Sequence, residues 1–226
     1  MTTLLKHKPM LEPGDHLSLD EFLRRWEGMP ELKRAELLEG IVYMPSSVRA
    51  DHGVADSFLG AWLFNYAAYT PGCAVQDNST TIMGGSAPQP DDSLRILPEY
   101  GGQSWVGPDG YLHGAPELVA EASSSSASYD LGVKKDVYAK NGVKEYVVVV
   151  MREREMRHFR LIRRKFKEIG IPSDGILKSN EFPGLWLDTR ALFKSDGKKV
   201  LAVLQKGLDS REHVDFADRL KRKKTD

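Results

Sequence analysis

The sequence is poor in cysteine and in long apolar runs. Cys73 is the single cysteine among 226 residues, so an internal disulfide and a cysteine-based zinc site are excluded. No apolar run approaches the roughly 20 residues that a membrane-spanning helix needs. Residues 1–18 also lack the sustained apolar stretch of a secretory signal. We therefore expect a cytoplasmic protein with no membrane partner.

Net charge is also absent, because 32 basic and 32 acidic side chains cancel. A neutral chain argues against a protein that coats DNA, but it allows a nuclease whose positive charge is local. Two basic clusters stand out, one at 152–168 and one at the C-terminus. A solvated strand face and a frayed end are the simpler explanation of both.

Several catalytic signatures are missing. The chain has no GxSxG elbow, no phosphate loop that ends in Gly-Lys-Ser/Thr and no HExxH zinc motif. A hydrolase that pairs the serine run 123–126 with His52 or His113 is therefore only a third hypothesis. We expect no organic cofactor.

Hydrophobic periodicity predicts an α+β fold. Ser18 and Glu21 form a capping box before a first helix, and 34–44 predicts a hairpin with its turn at Glu39-Gly40. Helices are predicted at 51–70, 131–142, 199–209 and 212–223, and strands at 73–83, 91–97, 117–123, 143–151 and 156–164. A strand pair, 166–171 with 173–179, follows, then a loop and short helix at 182–193. The Gly- and Pro-rich stretch 98–115 predicts a long surface connection.

The centre of this pattern is a strand–helix–strand unit formed by 117–123, 131–142 and 143–151. Such a unit predicts a parallel crossover within a mixed sheet that helices flank.

An acid interrupts the central strand. Glu121 stands in the apolar run 117–123, where an unpaired charge is costly. Asp91 begins another strand, Lys134 follows on a helix and Glu36 lies in the N-terminal hairpin. Two carboxylates and a lysine near strand ends suit a phosphodiesterase that uses Mg²⁺ or Mn²⁺. Each of the three acids also has a structural explanation: Glu121 as a buried paired acid, Asp91 as a turn residue and Glu36 as an exposed hairpin acid.

The helix after Glu121 carries Asp130, Lys134 and Tyr138 at i, i+4 and i+8, which is one helix face. An exposed Asp130–Lys134 ion pair is the alternative. His52 stands near the start of the long helix, a position more typical of packing than of metal binding.

Taken in order, these pieces resemble the Uma-two restriction-endonuclease family within the PD-(D/E)xK nuclease superfamily. The resemblance covers roughly residues 18–195. It rests on the following pieces: AELLEG with Glu36, His52, Pro90-Asp91, APELVAEASSSS with Glu121, the spacing of Asp130, Lys134 and Tyr138, NGVKEYVVVV, DGILKS and FPGLWLD.

The resemblance implies a restriction-endonuclease-like core that cuts DNA as a homodimer. It implies Asp91, Glu121 and Glu36 as metal ligands. The superfamily usually has a lysine two residues after the strand acid, where this chain has Ser123. Lys134 would supply the ammonium group instead, because the neighbouring Lys135 points about 100° away on the helix.

The chain departs from the family at three positions near the motifs. Ala35 and Val147 stand where the family usually has aromatic residues, and Val150 where it has an acid. None of these is a predicted metal ligand, so the predicted site is complete.

We expect an irregular arm at 1–17, a single nuclease-like domain at 18–215 and a basic tail at 216–226. The predicted function is a Mg²⁺-dependent DNA endonuclease, with exposed aromatics of the loop 101–111 as a dimer contact. The alternative is a catalytically inactive protein on the same fold that binds nucleic acid or acts as a structural module.

Overall fold

The computed structural model describes residues 10–45, 49–124 and 127–224. Its α-helices are α1 (Leu19–Glu27), α2 (Ala50–Ala68), α3 (Ala127–Tyr129), α4 (Lys135–Asn141), α5 (Thr189–Phe193), α6 (Gly197–Leu208) and α7 (Arg211–Lys223), with a 3₁₀ turn at Pro98–Tyr100 and a π-helical segment at Asp130–Lys134. Its strands are β1 (Glu36–Leu38), β2 (Ile41–Tyr43), β3 (Cys73–Asp77), β4 (Thr81–Ile82), β5 (Asp92–Ile96), β6 (Trp105–Val106), β7 (Leu112–His113), β8 (Leu118–Ser123), β9 (Glu145–Val150), β10 (Glu155–Ile162), β11 (Lys165–Glu168), β12 (Ile176–Lys178) and β13 (Trp186–Asp188).

The largest sheet has six strands in the order β11-β10-β9-β8-β5-β3. Strands β8 and β9 are parallel, with Glu121 opposite Val148, and the other neighbours are antiparallel. Parallel neighbours need a crossover connection, which α3, the π-helical segment and α4 provide. The predicted α+β class and the strand–helix–strand centre are confirmed.

Strand β8 is buried on both faces and separates two cores. Ala120 packs in the core that contains Trp62 of α2. Val119 packs in the core that contains Tyr138 of α4. Because alternate side chains point to opposite faces of a strand, Glu121 points to the α4 side with Val119.

The N-terminal elements form as predicted. The Ser18 hydroxyl accepts a hydrogen bond from the Glu21 amide at the start of α1, whereas the Glu21 carboxylate binds Arg24 and Arg25, so only the Ser18 half of the predicted capping box is seen. The β1–β2 hairpin turns at Glu39-Gly40, and both residues have positive φ. This turn places Glu36 at the free end of β1, directed toward the crossover segment.

Four predicted elements are wrong in detail. The predicted strand 73–83 breaks at Asn78, which has a φ of 48°, so β4 leaves the main sheet and pairs with β7. The predicted loop 98–115 contains β6 and β7. The predicted pair 166–171 with 173–179 does not form, because β11 pairs with β10 and β12 pairs with β13. Strand β13 itself lies in the segment predicted as a loop. Apolar alternation marks a strand but does not specify its partner.

The two ends of the chain are only partly described. Of the predicted arm 1–17, residues 1–9 lie outside the described part, while Leu11 is buried and His16 bridges to Ile41. Of the predicted tail 216–226, residues 225–226 lie outside it. The tail is helical through Lys223, and its apolar side chains Phe216 and Leu220 are buried. Of the helices in the described ranges, not one combines the length and apolar character needed to cross a bilayer.

Candidate active site

Glu121 is buried on the central strand and bonds to two side chains of the crossover segment. Only 2% of its surface is exposed. The Lys134 ammonium lies 2.6 Å from Glu121 Oε1, and the Tyr138 hydroxyl donates to the same oxygen at 2.8 Å. The helix therefore packs back over the strand that it follows, as the sequence predicted.

Glu36 reaches the same lysine from the N-terminal hairpin. Its Oε1 lies 3.2 Å from Lys134 Nζ, and it also accepts a hydrogen bond from the Gln89 amide at 2.6 Å. The Tyr129 hydroxyl donates to Oε2 at 2.9 Å. With 4% exposure, Glu36 is not the exposed hairpin acid of the structural alternative.

Asp91 lies immediately before β5 and touches β8 through the backbone. The Ala122 amide donates to Asp91 Oδ2 at 3.0 Å, and the Asp91 amide lies 3.4 Å from Glu121 Oε2. Each acid therefore accepts from an amide beside the other, which brings the two predicted ligands together. Arg34, the residue before Ala35, lies 3.3 Å from Asp91 Oδ1.

The π-helical segment directs Lys134 toward Glu121. Gly132 has φ −106° and ψ −111°, which is outside the helical region, so the helix axis is interrupted there. Single-turn π segments occur frequently at functional sites. Asp130 and Lys134 are both buried, so the alternative of an exposed Asp130–Lys134 pair is wrong.

The cluster holds surplus negative charge. The pKa of Glu121 is raised, and burial is the largest cause. The positive charge of Lys134 lowers the same pKa but does not cancel the rise. The charges of Asp91, Asp130 and Glu36 raise the same pKa further. Burial alone would lower the pKa of Lys134, but the carboxylates, Glu121 first, outweigh it and raise the pKa. The lysine stays charged while several acids share it, and an additional cation would relieve their repulsion.

Several residues of this site were missed or undervalued in the sequence. Tyr129 and Arg34 have no motif that marks them, and their roles emerge only from packing. His52, interpreted from sequence as a packing residue, has its Nε2 3.8 Å from Asp91 Oδ2. Its position in the first turn of α2 was the available signal. Lys135 does not enter the cluster, since its ammonium lies 5.2 Å from the ring centre of Phe159.

A second acid pair lies on the opposite face of β5. Asp92 packs against α2 at Gly60, where an added Cβ would lie 3.3 Å from Asp92 Oδ1. Burial and the nearby Asp56 raise the pKa of Asp92 to about 8. Burial and Asp91 raise the pKa of Asp56 to about 6. Among the described residues, Asp92 Oδ2 and Asp56 Oδ1 have no hydrogen-bond partner.

Two of the carboxylates around Lys134 suit a hard divalent cation. Within the described ranges, no group of three or more Asp, Glu, His or Cys side chains is arranged to hold a metal ion. Mg²⁺, however, is commonly held by one or two carboxylates, with water and phosphate oxygens completing its shell. Asp91 and Glu121 are two such carboxylates side by side, whereas Glu36 contacts Lys134, Tyr129 and Gln89.

The structure does not favour the serine hypothesis. His113 contacts Asp109 at 2.9 Å in the β6–β7 region. Ser124 donates to Asp51, and residues 125 and 126 of the predicted run lie outside the described part of the chain. His52 lies against Asp91, so the side-chain bonds described for Ser124, His52 and His113 do not pair this serine with either histidine.

Comparison with known proteins agrees with this architecture. Among solved structures, a crystal structure titled as a putative nuclease belonging to DUF820, from Anabaena variabilis, is similar with a TM-score of 0.62. The sequence identity is 16%, and the match covers 79% of this chain and 98% of that chain. This likeness establishes a shared fold. No curated protein sequence matches.

The sequence itself matches a family over most of its length. Residues 19–190 match Uma2, whose description is "Putative restriction endonuclease". This span contains β1, the crossover segment and the six strands of the main sheet. The chain therefore belongs to the Uma2 family of nucleases.

Proposed function

We propose that the protein is a metal-dependent DNA endonuclease that hydrolyses phosphodiester bonds at the Glu121 cluster. The single observation that carries the proposal is the shared lysine. Lys134 is buried between Glu121 and Glu36, and Asp91 lies directly beside Glu121. A structural ion pair needs one acid per base, and additional buried acids destabilise a fold unless a cation or substrate uses them.

Asp91 and Glu121 would hold the cation. Mg²⁺ or Mn²⁺, when bound, supplies Lewis-acid polarisation of the phosphate and a more acidic water. Burial of both acids keeps bulk water away from their oxygens, which strengthens every electrostatic contact inside the cluster. The amide of Ala122 fixes the Asp91 carboxylate, and the Tyr138 hydroxyl fixes Glu121.

Lys134 would orient the attacking water and balance negative charge in the transition state. Its ammonium is already placed against Glu121 and cannot easily rotate away, because Glu36 holds it from the other side at 3.2 Å. Glu36, itself fixed by Tyr129, would position the lysine or tune the metal. Arg34 and His52 lie where a phosphate oxygen could contact them as it approaches Asp91.

Plasmid cleavage tests the proposal. Supercoiled DNA is incubated with Mg²⁺ or Mn²⁺ and wild-type protein, Asp91→Asn, Glu121→Gln or Lys134→Met. Lys206→Met, which removes an exposed lysine from α6, is the matched control. We expect cleavage by wild type and the control alone. Equal cleavage by all five proteins, or cleavage by none, would reject the assignment.

The inactive nuclease-fold alternative has one observation in its favour. The carboxylate oxygens of Asp91 and Glu121 already accept bonds from Arg34, Ala122, Lys134 and Tyr138. Calorimetric titration with Mn²⁺ separates the two functions. Heat of binding that disappears in Asp91→Asn supports the enzyme, and no binding by wild type supports the inactive module.

A homodimer would bring two sites to the two strands of a duplex. The exposed Trp105 and Val106 of the predicted contact loop are available for such a contact. Sedimentation of wild type and Trp105→Ser tests it, and a monomer in both cases would exclude this contact.

A further inference from the structure

A cationic groove lies between α4 and the β10–β11 hairpin. It has a volume of about 310 Å³. Four basic side chains line it, Lys135, Lys140, Arg164 and Lys165, with one acid, Asp136; of the four, Lys140 is paired with Glu39 at 2.7 Å. The chain as a whole is neutral, so this excess of positive charge is local.

The basic residues of the hairpin tip are not used within the fold. In the described part of the chain, Arg163, Arg164 and Lys165 form no ion pair, and all three are exposed. Nearby Arg157, by contrast, is paired with Glu168 on the same hairpin. The unpaired charges are therefore available to an external anion.

The backbone conformation of the β10–β11 turn favours residues other than arginine. Ile162 pairs with Lys165, so Arg163 and Arg164 form a two-residue turn. Their φ values are 51° and 61°. Two positive φ values in a two-residue hairpin define a type I′ turn, for which Asn-Gly is strongly preferred. Arginine at both positions costs free energy in the fold, and a role for the two guanidinium groups explains its presence.

The groove and the candidate site lie along adjoining helical segments, since Lys134 ends the π-helical segment and α4 begins at Lys135. Lys135 directly follows Lys134, and α4 continues along the groove to Lys140. At 1.5 Å per residue, Lys140 lies about 9 Å along the helix axis from Lys134. One strand of B-form DNA rises about 3.4 Å per nucleotide. A span of about 9 Å along α4 accommodates roughly three successive nucleotides of one DNA strand.

We propose that this groove and the Arg163–Arg164 turn bind the sugar-phosphate backbone of duplex DNA next to the cleaved bond. The inference rests on the proposed endonuclease function. Contacts of this kind hold the duplex in position without reading its bases. The groove would therefore contribute affinity and register, and its salt dependence would be that of phosphate binding.

The test uses a variant that should fold better and bind worse. Arg163→Asn/Arg164→Gly installs the residues that a type I′ turn prefers, so we expect an equal or higher melting temperature. Lys206→Gln/Arg222→Gln removes two exposed charges from α6 and α7 and is the matched control. Binding of a fluorescein-labelled duplex is followed by anisotropy in EDTA, across about 50–200 mM KCl.

We expect the turn variant to bind about tenfold more weakly at the lowest salt. The slope of log K against log salt should be smaller by about 1.8, because each lost phosphate contact contributes about 0.9. The control should keep the wild-type slope. A turn variant with wild-type affinity and slope would overturn the groove proposal, as would arginine-dependent binding to anionic phosphatidylserine vesicles without any change in duplex binding.

Failure of this proposal and failure of the proposed function are distinguishable. If wild type cleaves plasmid while the turn variant binds duplex normally, the groove is rejected and the nuclease assignment stands. If wild type binds duplex through the two arginines but never cleaves, the groove stands and the protein is a nucleic-acid-binding module. If wild type does not bind duplex, the groove is rejected whatever the cleavage result.

Discussion

Two buried glutamates on adjacent strands make a direct comparison. Glu121 lies on β8 and Glu145 on β9, and the two strands pair in parallel. Both side chains are almost completely buried. In the sequence both are acids within or beside apolar runs. Their partners in the fold are nevertheless of different kinds.

Glu145 is surrounded by donors. His158 Nε2 and the Ser179 hydroxyl each lie 2.5 Å from its oxygens. The amides of Asn180 and Glu181 also donate to it, at 3.1 and 3.3 Å. Burial alone would raise the pKa of Glu145, but the hydrogen bond and charge of His158, together with the hydrogen bonds from Ser179 and the Asn180 amide, outweigh it and lower the pKa. Through these hydrogen bonds Glu145 holds the segment after β12 against the main sheet.

Glu121, by contrast, lies among other acids that compete with it for the same lysine. It shares Lys134 with Glu36 and lies beside Asp91, and its pKa is raised. Burial of an acid is therefore a poor sign of function, because both glutamates have it. The informative feature is an excess of acids over their donors, which stabilises no fold by itself.

The largest expected effect is on cleavage. Glu121→Gln should lower the rate of plasmid cleavage by about 10³-fold, because the amide holds a cation poorly where a carboxylate is needed. Glu145→Gln should change it by less than about threefold at a temperature where both variants are folded. Loss of cleavage in both variants, with the fold intact, would break the comparison.

The next effect is on stability and runs in the opposite direction. Glu145→Ala should lower the free energy of unfolding by about 3 kcal/mol, since buried donors are left without an acceptor. Glu121→Gln should lower it by about 1 kcal/mol or less, because Lys134 keeps Glu36 and a repulsive charge is removed. Urea denaturation followed by circular dichroism measures both, and a larger loss in Glu121→Gln would contradict the prediction.

A smaller effect concerns how stability depends on pH through Asp92, which lies beside Asp56. The pKa of Asp92 is raised to about 8. Its native state therefore keeps a proton that the unfolded chain loses above about pH 4, so stability falls as pH rises from 4 through 8. The side chain of Asp92→Asn cannot ionise. Between pH 5 and pH 9 this variant should therefore lose less free energy of unfolding than wild type, by on the order of 2 kcal/mol. Identical pH profiles of wild type and Asp92→Asn would show that the carboxyl titrates normally.

The smallest expected effect is the contribution of Glu145 to the loss of stability at acidic pH. Its pKa is lowered in the fold, so it stabilises the protein at neutral pH, and that contribution disappears as pH falls below its usual range. Glu145→Gln should therefore show a melting temperature that drops less steeply in acid, by a few degrees. Differential scanning calorimetry from neutral pH to about pH 3 checks this, with Glu153→Gln, at an exposed position, as the control.

Much of the fold was accessible to sequence reasoning because periodicity is local. The helices, the β1–β2 hairpin and the parallel crossover follow from apolar spacing, caps and turns. The partners of β11 and β12 were not accessible, because strand pairing depends on contacts that are distant in sequence.

The proximity of the candidate residues was predictable, but their electrostatics were not. Glu36, Asp91, Glu121 and Lys134 do meet, as their order suggested. Arg34 and Tyr129 were missed because single residues in short connections carry no pattern. Neither the raised pKa of Glu121 nor that of Asp92 could be foreseen, since each depends on how many acids the fold collects in one place.

The interruption at Gly132 has a consequence for tracing the lysine among relatives. In the usual arrangement of the superfamily, a fixed count of two residues along a rigid strand sets the spacing between acid and lysine. In this chain the spacing includes the short helix α3 and a widened π turn before it reaches Lys134. Insertion or deletion of one residue ahead of the interruption could be absorbed there, whereas one after it would rotate the lysine by about 100°. Position along the alignment should therefore be counted backward from Tyr138, not forward from Glu121.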